Sequence, residues 1–524
     1  MPPSDPEVAD VLVIGSGNAG FSAASSAAQH GARVILLEKA PAAWAGGNTT
    51  FTAGAYRTAF AGLSDVLPLV TNAPASIASR IDMAPYTPAD FMADLRRVTD
   101  ARTDPALALA LVNESNETTK WLHALGVRFV LSFHRQAYEI ANRFKFWGGM
   151  VLAVEDGGKG LVRMHQAAAK RLGVDVRYDT PVTGLVIENG AVVGVTLARP
   201  DGSTTTIRAR GGVVLAAGGF EASPRLRAAY LGPGWDRAYV RGTPYNTGEL
   251  LHAAMGEAGA ASAGNWSGCH STCWDAAADA NTGDPGLTNQ YTKSGYPLGV
   301  MVNAEGKRFV DEGEDMRNYT YAKFGRAVLG QAGGVAWQVW DAEGAGWLRK
   351  EEYAPDVVER VEAGSLEELA DRMAEKGFAG KAAFLDGLAE YNAAVAAFRR
   401  ENPNKKFDPS VKDGMSTRSS ASGLTLGPDK TNWATPITKA PFLAVKITCG
   451  VTFTFGGLKT DAATAGVVSQ VTGKTIPGLY VAGEMVGGLY YGNYPGGSGL
   501  TAGAVFGRKA GREAARRAGV RAAL

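Results

Sequence analysis

The chain has 524 residues, which is too long for one ordinary hydrophobic core, so its length predicts two or three lobes. Hydrophobic residues make up 45% and charged residues 20%, and the formal net charge is +2, which excludes the charge imbalance of nucleic-acid-binding proteins and polybasic membrane anchors. Three cysteines, Cys269, Cys273 and Cys449, are too few for a four-thiolate iron–sulfur cluster and form no even disulfide framework.

A βαβ unit is predicted at the start of the chain. Asp10–Ile14 has the pattern of a buried strand, the alanine-rich Phe21–His30 that of a helix, and Arg33–Glu38 that of a second strand.

The turn between the first strand and this helix carries a dinucleotide fingerprint, formed by Gly15, Gly17 and Gly20 around Ser16, Asn18 and Ala19. The glycines allow a tight turn and a close approach to a pyrophosphate, and the helix N-terminus supplies unpaired amides. Glu38, at the end of the second strand, is expected to accept hydrogen bonds from a ribose, with Lys39 beside it.

Further along the chain, periodicity and turn residues predict an antiparallel meander and several helices. In chain order we expect a helical stretch Pro88–Leu125, the meander Val174–Arg210, a buried strand Val213–Ala217, a helical stretch Ser365–Arg400 and a closing helix Thr501–Arg517. Between residues 265 and 446 the sequence pattern changes to aromatic residues, loops and a helical stretch. We therefore predict a discontinuous nucleotide-binding domain, 1–264 and 447–524, interrupted by an inserted domain, 265–446.

Three blocks in distant parts of the chain help to decide which dinucleotide binds to this fingerprint. Small residues and amides in Gly46-Gly47-Asn48-Thr49 suit a flat ring, a strand ends in Ala217-Gly218-Gly219, and another ends in Gly483-Glu484, whose acid suits the hydroxyls of a ribityl chain. Together with the first fingerprint, these blocks resemble the FAD domain of the fumarate reductase and succinate dehydrogenase flavoproteins. The resemblance implies an α/β fold, with a Rossmann-type FAD-binding domain of the GR2-like kind and an inserted α+β capping domain.

A glycine-rich block, Tyr494 to Thr501, precedes the closing helix. The resemblance implies that amides near Ser498, Gly499 and Leu500 face the flavin pyrimidine, where a helix N-terminus stabilises the negative charge of the reduced ring. Because residues 46–50 contain no histidine for covalent attachment, we expect FAD to be held non-covalently.

The resemblance also implies the reacting groups. The segment from Val302 to Glu312 leads to Arg317, close to where fumarate reductases carry a proton-shuttling arginine, and Glu312, Glu314 and Asp315 are candidate relays. Hydride would pass to flavin N5, and the proton through Arg317. His270 falls where the family places a substrate-binding histidine, although a structural histidine is an equal alternative.

Two departures concern the substrate. Thr452 and Phe453 stand where fumarate reductases have a histidine pair, and Tyr494 stands where they have a carboxylate-binding arginine, so the sequence predicts a pocket with fewer cations. The aromatic strings around Tyr319 and Tyr494 resemble the tricarballylate dehydrogenase branch most. That branch implies an external electron acceptor, either a membrane-associated iron–sulfur protein or a quinone.

Three alternatives stay open: a 3-ketosteroid-dehydrogenase-like ketone desaturase using tyrosines such as Tyr494, Tyr319 and Tyr321, an enoate reductase, and a flavin-binding redox sensor or electron carrier. No metal site and no nucleic-acid partner are predicted. Because no apolar run approaches the ~20 residues of a membrane helix and no basic leader is seen, we expect a cytoplasmic protein rather than a membrane protein.

Overall fold

The computed structural model describes residues 7–199, 201–419 and 426–520, and these form two compact units. The first unit holds the described residues up to Pro233, then Gly242–His270 and the described residues from Phe453 onward. The second holds Gly234–Arg241 and Ser271–Thr452. The inserted domain predicted at 265–446 begins and ends six residues earlier than this second unit's main segment, and the prediction did not include Gly234–Arg241.

An eight-stranded sheet organises the first unit. Its strand order is Val182–Glu188, Ala191–Ala198, Thr204–Leu215, Glu7–Ile14, Val34–Leu37 and Asp175–Arg177, with Thr475–Val481 beside Thr204–Leu215 and Gly466–Val468 beside Thr475–Val481. The strand Glu7–Ile14 is parallel to both of its neighbours, and Thr475–Val481 is parallel to Thr204–Leu215. The carboxyl ends of these four strands therefore lie at one edge, where ligands bind in open α/β sheets.

The predicted meander is present, with two differences. Asp175–Arg177 pairs in parallel with Val34–Leu37 instead of joining the meander. The strand expected separately at Val213–Ala217 is the end of the long strand Thr204–Leu215. The strand continues because Gly211 and Gly212 absorb a register shift: Gly212 has a φ of +123°, and a Cβ on Gly211 would lie 2.1 Å from the Ala514 oxygen.

The expected helical stretch Pro88–Leu125 is two helices. Thr87 caps the first with a capping box, and Asp104 caps the second, which begins at Pro105. Between them Asp100 and Ala101 have positive φ angles, which no helix accommodates. The α-helices of the first unit are Asn18–Gln29, Leu63–Val66, Ala75–Ala78, Pro88–Val98, Pro105–Ala124, Phe133–Gln136, Gly157–Arg171, Pro224–Leu226, Glu249–Gly256 and Ser498–Arg517.

Two small three-stranded sheets complete the first unit. They comprise Ala55–Tyr56, Leu152–Val154 and Phe129–Leu131, and Ile81–Asp82, Arg143–Phe146 and Ala137–Ile140.

The second unit is built on a mixed sheet around two buried tryptophans, Trp337 and Trp340. Its strands are Tyr239–Val240, Val300–Asn303, Val335–Trp340 and Val361–Ala363, with Ser262–Asp275 and Phe442–Leu458, which belong partly to each unit. Its α-helices are Arg317–Thr320, Phe324–Leu329, Ala342–Gly346, Lys350–Tyr353, Leu366–Ala374 and Lys381–Glu401. The last two replace the single stretch expected at Ser365–Arg400, because Gly377 has a φ of +91°.

The predicted α/β fold class is confirmed. Within the described parts of the chain, no helix combines the length and the apolar character needed to cross a bilayer.

Candidate active site

The glycine turn Gly15–Gly20 lies at the carboxyl edge of the eight-stranded sheet. Gly15 has a φ of +103°, and a Cβ there would lie 2.3 Å from the Ala216 oxygen. A Cβ on Gly20 would lie 1.8 Å from the Gly15 oxygen. The first helix, Asn18–Gln29, has Gly17 at its N-cap and therefore no capping side chain. The turn thus combines close backbone approach with uncapped helix amides, as a pyrophosphate requires.

Asn18 connects three of the predicted cofactor blocks. Its Nδ2 donates to the Leu500 oxygen at 2.8 Å, and its backbone N–H donates to Thr49 Oγ1 at 2.9 Å. Its Oδ1 accepts from Tyr56 Oη at 2.9 Å and contacts His165 Nε2 at 3.0 Å. The side chain of Asn18 therefore holds the blocks together, a role that its place in the fingerprint did not reveal.

His165 was not foreseen as part of this region. It is fully buried and stacks on Phe21, with ring centroids 5.6 Å apart. Burial lowers the pKa of His165 to about 3, because the charged imidazolium would lose its hydration. The neutral ring fits the contacts: Nε2–H can donate to Asn18, and Nδ1 has no partner.

Glu38 fastens the glycine turn to the end of the second strand. Its Oε2 accepts from the Ser16 amide at 2.8 Å and the Ser16 hydroxyl at 2.7 Å, and its Oε1 accepts from the Ala40 amide at 2.8 Å. The Ser16 hydroxyl also accepts from the Gly46 amide at 3.1 Å, which joins the second block to the first. The predicted ribose contact of Glu38 stays a prediction.

Lys39, predicted beside the ribose, contacts two side chains near the start of the helix Glu249–Gly256, and its cofactor contact stays a prediction. Its Nζ donates to Thr247 Oγ1 at 2.8 Å and to Glu249 Oε1 at 2.9 Å. Because this ion pair is exposed to solvent, it contributes little to the free energy of unfolding.

The second block lies on two residues with left-handed backbone, Gly46 and Gly47, whose φ angles are +100° and +51°. The Asn48 side chain that follows is fixed at both ends. Its Oδ1 accepts from the Thr243 amide at 2.9 Å, and its Nδ2 donates to Glu221 Oε1 at 2.6 Å.

The third and fourth blocks contact each other, and the fourth block also contacts the first helix. The Ala217 amide contacts the Met485 sulfur at 3.3 Å, and Gly218 has a φ of +76°. A Cβ on Gly483 would lie 2.8 Å from the Ala19 Cβ, so this glycine lets the fourth block approach the fingerprint.

Glu484 of the fourth block forms a pair with Glu221, which sequence reasoning missed. Glu221 is fully buried and Glu484 is partly buried, and the two carboxyl groups are close enough for each to affect the ionisation of the other. Burial and the neighbouring Glu221 raise the pKa of Glu484 well above its ordinary value, and burial also raises that of Glu221. The available signal was an acid directly after Gly218-Gly219-Phe220 at the end of a buried strand.

The last helix, Ser498–Arg517, begins three residues earlier than predicted. Gly497, with a φ of +81°, is its N-cap, so no side chain caps the first turn. Ser498 Oγ donates to the Pro495 oxygen at 2.7 Å, and the Leu500 oxygen is held by Asn18. A Cβ on Gly499 would lie 3.9 Å from the Tyr494 ring, which is an ordinary van der Waals distance.

A buried arginine, Arg57, supports this last block and was not predicted. Its Nε donates to the Gly496 oxygen at 2.8 Å, and its Nη1 donates to Tyr86 at 2.8 Å and to Asp94 at 2.9 Å. Its backbone oxygen accepts from Thr501 Oγ1 at 2.7 Å.

His270 and Tyr494, both predicted to act on the substrate, are brought together in an aromatic cluster of the first unit. His270 stacks on Phe453 with centroids 5.4 Å apart, and its ring meets the Tyr494 ring at 5.2 Å and 68°. Phe453 and Tyr494 are 5.0 Å apart, and Tyr490 and Phe455 extend the cluster. Phe453 is the partly exposed member of this group.

In the second unit, Arg317 begins the helix Arg317–Thr320 and is partly buried. Of the candidate relays, Glu312 is fully buried and accepts from Arg308 at 2.5 and 3.1 Å and from the Met301 amide at 2.8 Å. Glu314 is exposed and forms an ion pair with Lys323. Glu312 is therefore a structural ion-pair residue, whereas Glu314 faces solvent.

Asn318, directly after Arg317, is the most unusual polar group in this unit. It is 3% exposed, and within the described residues neither its amide oxygen nor its amide nitrogen has a hydrogen-bond partner. Leaving a buried amide unpaired costs on the order of a few kcal/mol, so such a group is typical of a ligand contact.

Thr452, which stands where a histidine was expected from the resemblance, contacts a buried arginine, Arg241. This arginine is 7% exposed, and its Nη1 donates to Thr452 Oγ1 at 2.6 Å, while its Nε donates to Thr292 at 3.1 Å. Its guanidinium also lies over the Trp274 ring at 5.5 Å. The prediction of fewer cations did not foresee this residue, because it is 211 residues distant in sequence.

Comparison with known proteins decides the family. The model of the FAD binding domain family matches residues 10–500. The chain belongs to this family. It is a flavoprotein of the fumarate reductase and succinate dehydrogenase type, and FAD is its cofactor. The glycine cradle and the two uncapped helix N-termini described above fit that cofactor.

Individual relatives agree with this assignment. The chain is 28% identical over 502 residues to a fumarate reductase (cytochrome) of Shewanella frigidimarina, covering 94% of this chain and 75% of that protein. It is 26% identical to 4-oxocyclohex-2-ene-1-carboxylate 5-dehydrogenase of Sinomonas cyclohexanicum, covering 95% and 92%. The open conformation of a flavocytochrome c3 fumarate reductase superposes with a TM-score of 0.71 at 25% identity, covering 98% of this chain and 79% of that one. The protein is thus an FAD-dependent oxidoreductase that acts on carbon–carbon bonds.

Proposed function

We propose that the protein oxidises or reduces a carbon–carbon bond next to a carboxylate or carbonyl group, with tricarballylate-like polycarboxylic acids as the first candidates. The observation that carries the proposal is the buried amide of Asn318, which has no partner and directly follows Arg317. A guanidinium fork matches a carboxylate, and an amide can donate to a carboxylate or carbonyl oxygen. The buried guanidinium of Arg241 supports an acidic substrate as well.

FAD, held without a covalent bond, supplies the two-electron oxidation or reduction. Arg317 moves the proton on the neighbouring carbon, and Glu314 connects it to solvent, because Glu314 is exposed whereas Glu312 is committed to Arg308. His270 and Tyr494 orient the oxygen of the substrate that activates this carbon. An external electron carrier completes the cycle, in keeping with the word "cytochrome" in the name of the Shewanella relative.

A cyclic ketone is the second candidate substrate, and the aromatic cluster of His270, Phe453 and Tyr494 favours it. Flat rings pack against aromatic side chains better than flexible acids do. The name of the Sinomonas relative describes a compound with a ring, a ketone and a carboxylate, which would satisfy both kinds of group.

The test follows flavin absorbance without oxygen. Purified holoprotein is mixed with tricarboxylates, with cyclic ketones and with cyclic keto acids, and bleaching reports oxidation of the compound. Reduced protein is mixed with the matching enoates to measure the reverse reaction. If no compound of these classes changes the flavin spectrum, the proposed function is wrong.

Arg317→Ala should keep the yellow flavin and lose turnover by roughly 10²-fold or more, the contribution of a positioned proton-transfer group. The exposed Arg372→Ala is the matched control in the same unit, and it should turn over normally. Retained activity in Arg317→Ala would remove the proton role from this residue without affecting the assignment of the cofactor.

A further inference from the structure

Two carboxyl groups of the first unit, the fully buried Glu221 and the partly buried Glu484, lie next to each other, and neither forms a salt bridge within the described residues. Glu221 follows the strand Thr204–Leu215 by six residues, and Glu484 lies three residues beyond the strand Thr475–Val481. These strands are parallel neighbours, so both acids emerge at the same edge of the sheet. Glu484 also packs closely on the segment that leads to Glu221, since a Cβ on Gly219 would lie 2.1 Å from Glu484 Oε1.

Fixed donors engage one oxygen of each carboxyl group. Glu221 Oε1 accepts from Asn48 Nδ2 and from Asn246 Nδ2, both at 2.6 Å, while its Oε2 has no N–H donor. Glu484 Oε1 accepts from the Thr454 amide at 2.7 Å and from the Thr454 hydroxyl at 3.0 Å. Each carboxyl thus has one oxygen that fixed donors satisfy, and the buried Glu221 Oε2, which has no partner among the described residues, is left for a proton shared with Glu484.

The segments that surround the pair contain no cationic side chain that would balance the negative charges of ionised Glu221 and Glu484. The segments around the pair, residues 47–49, 216–222, 243–248, 453–455 and 482–485, carry one further titratable side chain, that of Tyr245. Arg227 donates to the main-chain oxygen of Glu221 at 2.5 Å. A fully buried carboxylate next to a second, partly buried one is strongly disfavoured when both are ionised, so the pair is expected to hold a proton.

We propose that Glu221 and Glu484 form a proton-holding pair that shares one proton at neutral pH. Each carboxyl has one oxygen that fixed donors engage and one oxygen left for the shared proton. The pair joins Asn48 of the second block, Glu221 beyond the third and Glu484 of the fourth, so both acids are positioning residues for the FAD-binding edge. This inference does not depend on the proposed substrate or on the direction of the reaction.

Infrared spectroscopy of the holoprotein tests the proposal directly. A protonated carboxyl in a dry interior has a carbonyl band separate from that of ionised carboxylates. We expect such a band in the wild type at neutral pH, its shift in ²H₂O, and its loss in both Glu484→Gln and Glu221→Gln. The exposed Glu249→Gln, whose partner is Lys39, is the matched control and should leave the band in place.

The two substitutions differ in a second readout, which is how tightly FAD is held as pH rises. Glu484→Gln imitates the protonated acid, because its amide can donate to Glu221, so FAD affinity should become independent of pH in the alkaline range. In the wild type, FAD affinity should fall as the band disappears. Absence of the band in the wild type, or its persistence in both variants, would overturn the proposal. If Glu484→Gln fails to fold, the alkaline loss of the band in the wild type still decides the question.

Discussion

Two buried asparagines, Asn18 and Asn318, illustrate opposite uses of one side chain. Both polar atoms of the Asn18 side chain have protein partners, namely Leu500 of the last cofactor block together with Tyr56 and His165. Neither polar atom of the Asn318 side chain has one. A satisfied buried amide stabilises the fold, whereas an unsatisfied amide costs stability unless a ligand supplies its partners.

Asn318→Leu should therefore raise stability while it weakens substrate binding. Replacing an unpaired amide with an apolar group of similar size removes a desolvation penalty of about 1–3 kcal/mol. We expect a higher midpoint of denaturant unfolding and a higher KM for whichever compound bleaches the flavin. A lower midpoint with an unchanged KM would show that the amide has a structural role.

The control for Asn318→Leu is Asn392→Leu in the same unit. The Asn392 amide donates to the Ile437 oxygen at 3.0 Å and accepts from the Ile437 amide at 2.8 Å. This substitution breaks satisfied hydrogen bonds, so it should lower the unfolding midpoint and leave KM unchanged.

Residues were predictable from the sequence where their role is local. Gly15, Gly17 and Gly20 announce a tight turn because backbone geometry alone requires glycine there. Glu221 and Arg241 were not foreseen, since their side-chain partners Glu484 and Thr452 come from distant parts of the chain. A single sequence carries no signal for such a pairing.

At the level of secondary structure, the first helix and the last helix pack through glycines. A Cβ on Gly507 would lie 2.4 Å from the Ala19 oxygen, and one on Gly511 would lie 2.0 Å from the Ala23 oxygen. The two backbones are therefore in direct contact along this seam. Periodicity predicted both helices, but not that they pack against each other, because contact across the whole chain leaves no mark on local spacing.

Gly507→Ala should destabilise the protein even though alanine is the better helix former. In an open helix the change would gain up to ~1 kcal/mol. Here the added methyl group collides with backbone, and overpacking costs typically about 1–3 kcal/mol. Thermal unfolding should show a lower midpoint and earlier release of FAD fluorescence.

Gly387→Ala is the matched control for the glycine seam. Gly387 lies in the helix Lys381–Glu401, and a Cβ there meets no atom within 4 Å. This substitution should raise the midpoint or leave it unchanged. Equal effects at Gly387 and Gly507 would contradict the close packing of the two helices.

Across the whole molecule, the sequence predicted the fold class and the cofactor because four blocks lie in the family's order. It predicted element boundaries less well, since these depend on single backbone angles. Asp100 and Ala101 divide one expected helical stretch, and Gly377 divides another. Neither break follows from hydrophobic periodicity, which continues across both.

Two titratable residues, His165 and Glu484, make the free energy of unfolding depend on pH in opposite directions. The pKa of His165 is lowered from 6.5 to about 3, so the unfolded chain binds a proton there that the native protein does not, and stability falls as pH drops below 6.5. The pKa of Glu484 is raised above 4.5, so stability falls as pH rises above 4.5 towards the folded-state value. Between pH 4.5 and 6.5 the two contributions oppose each other.

We therefore expect a flat maximum in the free energy of unfolding, with a decline of about 1.4 kcal/mol per pH unit from each site outside it. Denaturant unfolding at a series of pH values measures the profile. His165→Gln should flatten the acid side alone, and Glu484→Gln the alkaline side alone. An acid limb unchanged in His165→Gln would show that other groups govern it.

The bond from Asn18 to the Leu500 oxygen spans 482 positions, as does that from Ser26 to the Arg508 oxygen. During translation at about 5–20 residues per second, the first helix therefore leaves the ribosome roughly half a minute to a minute and a half before its partner. Throughout that interval the small residues of the first helix lack the packing partner that they have in the native protein. Newborn chains should accordingly depend on chaperone protection until synthesis is nearly finished, and FAD can be captured only afterwards.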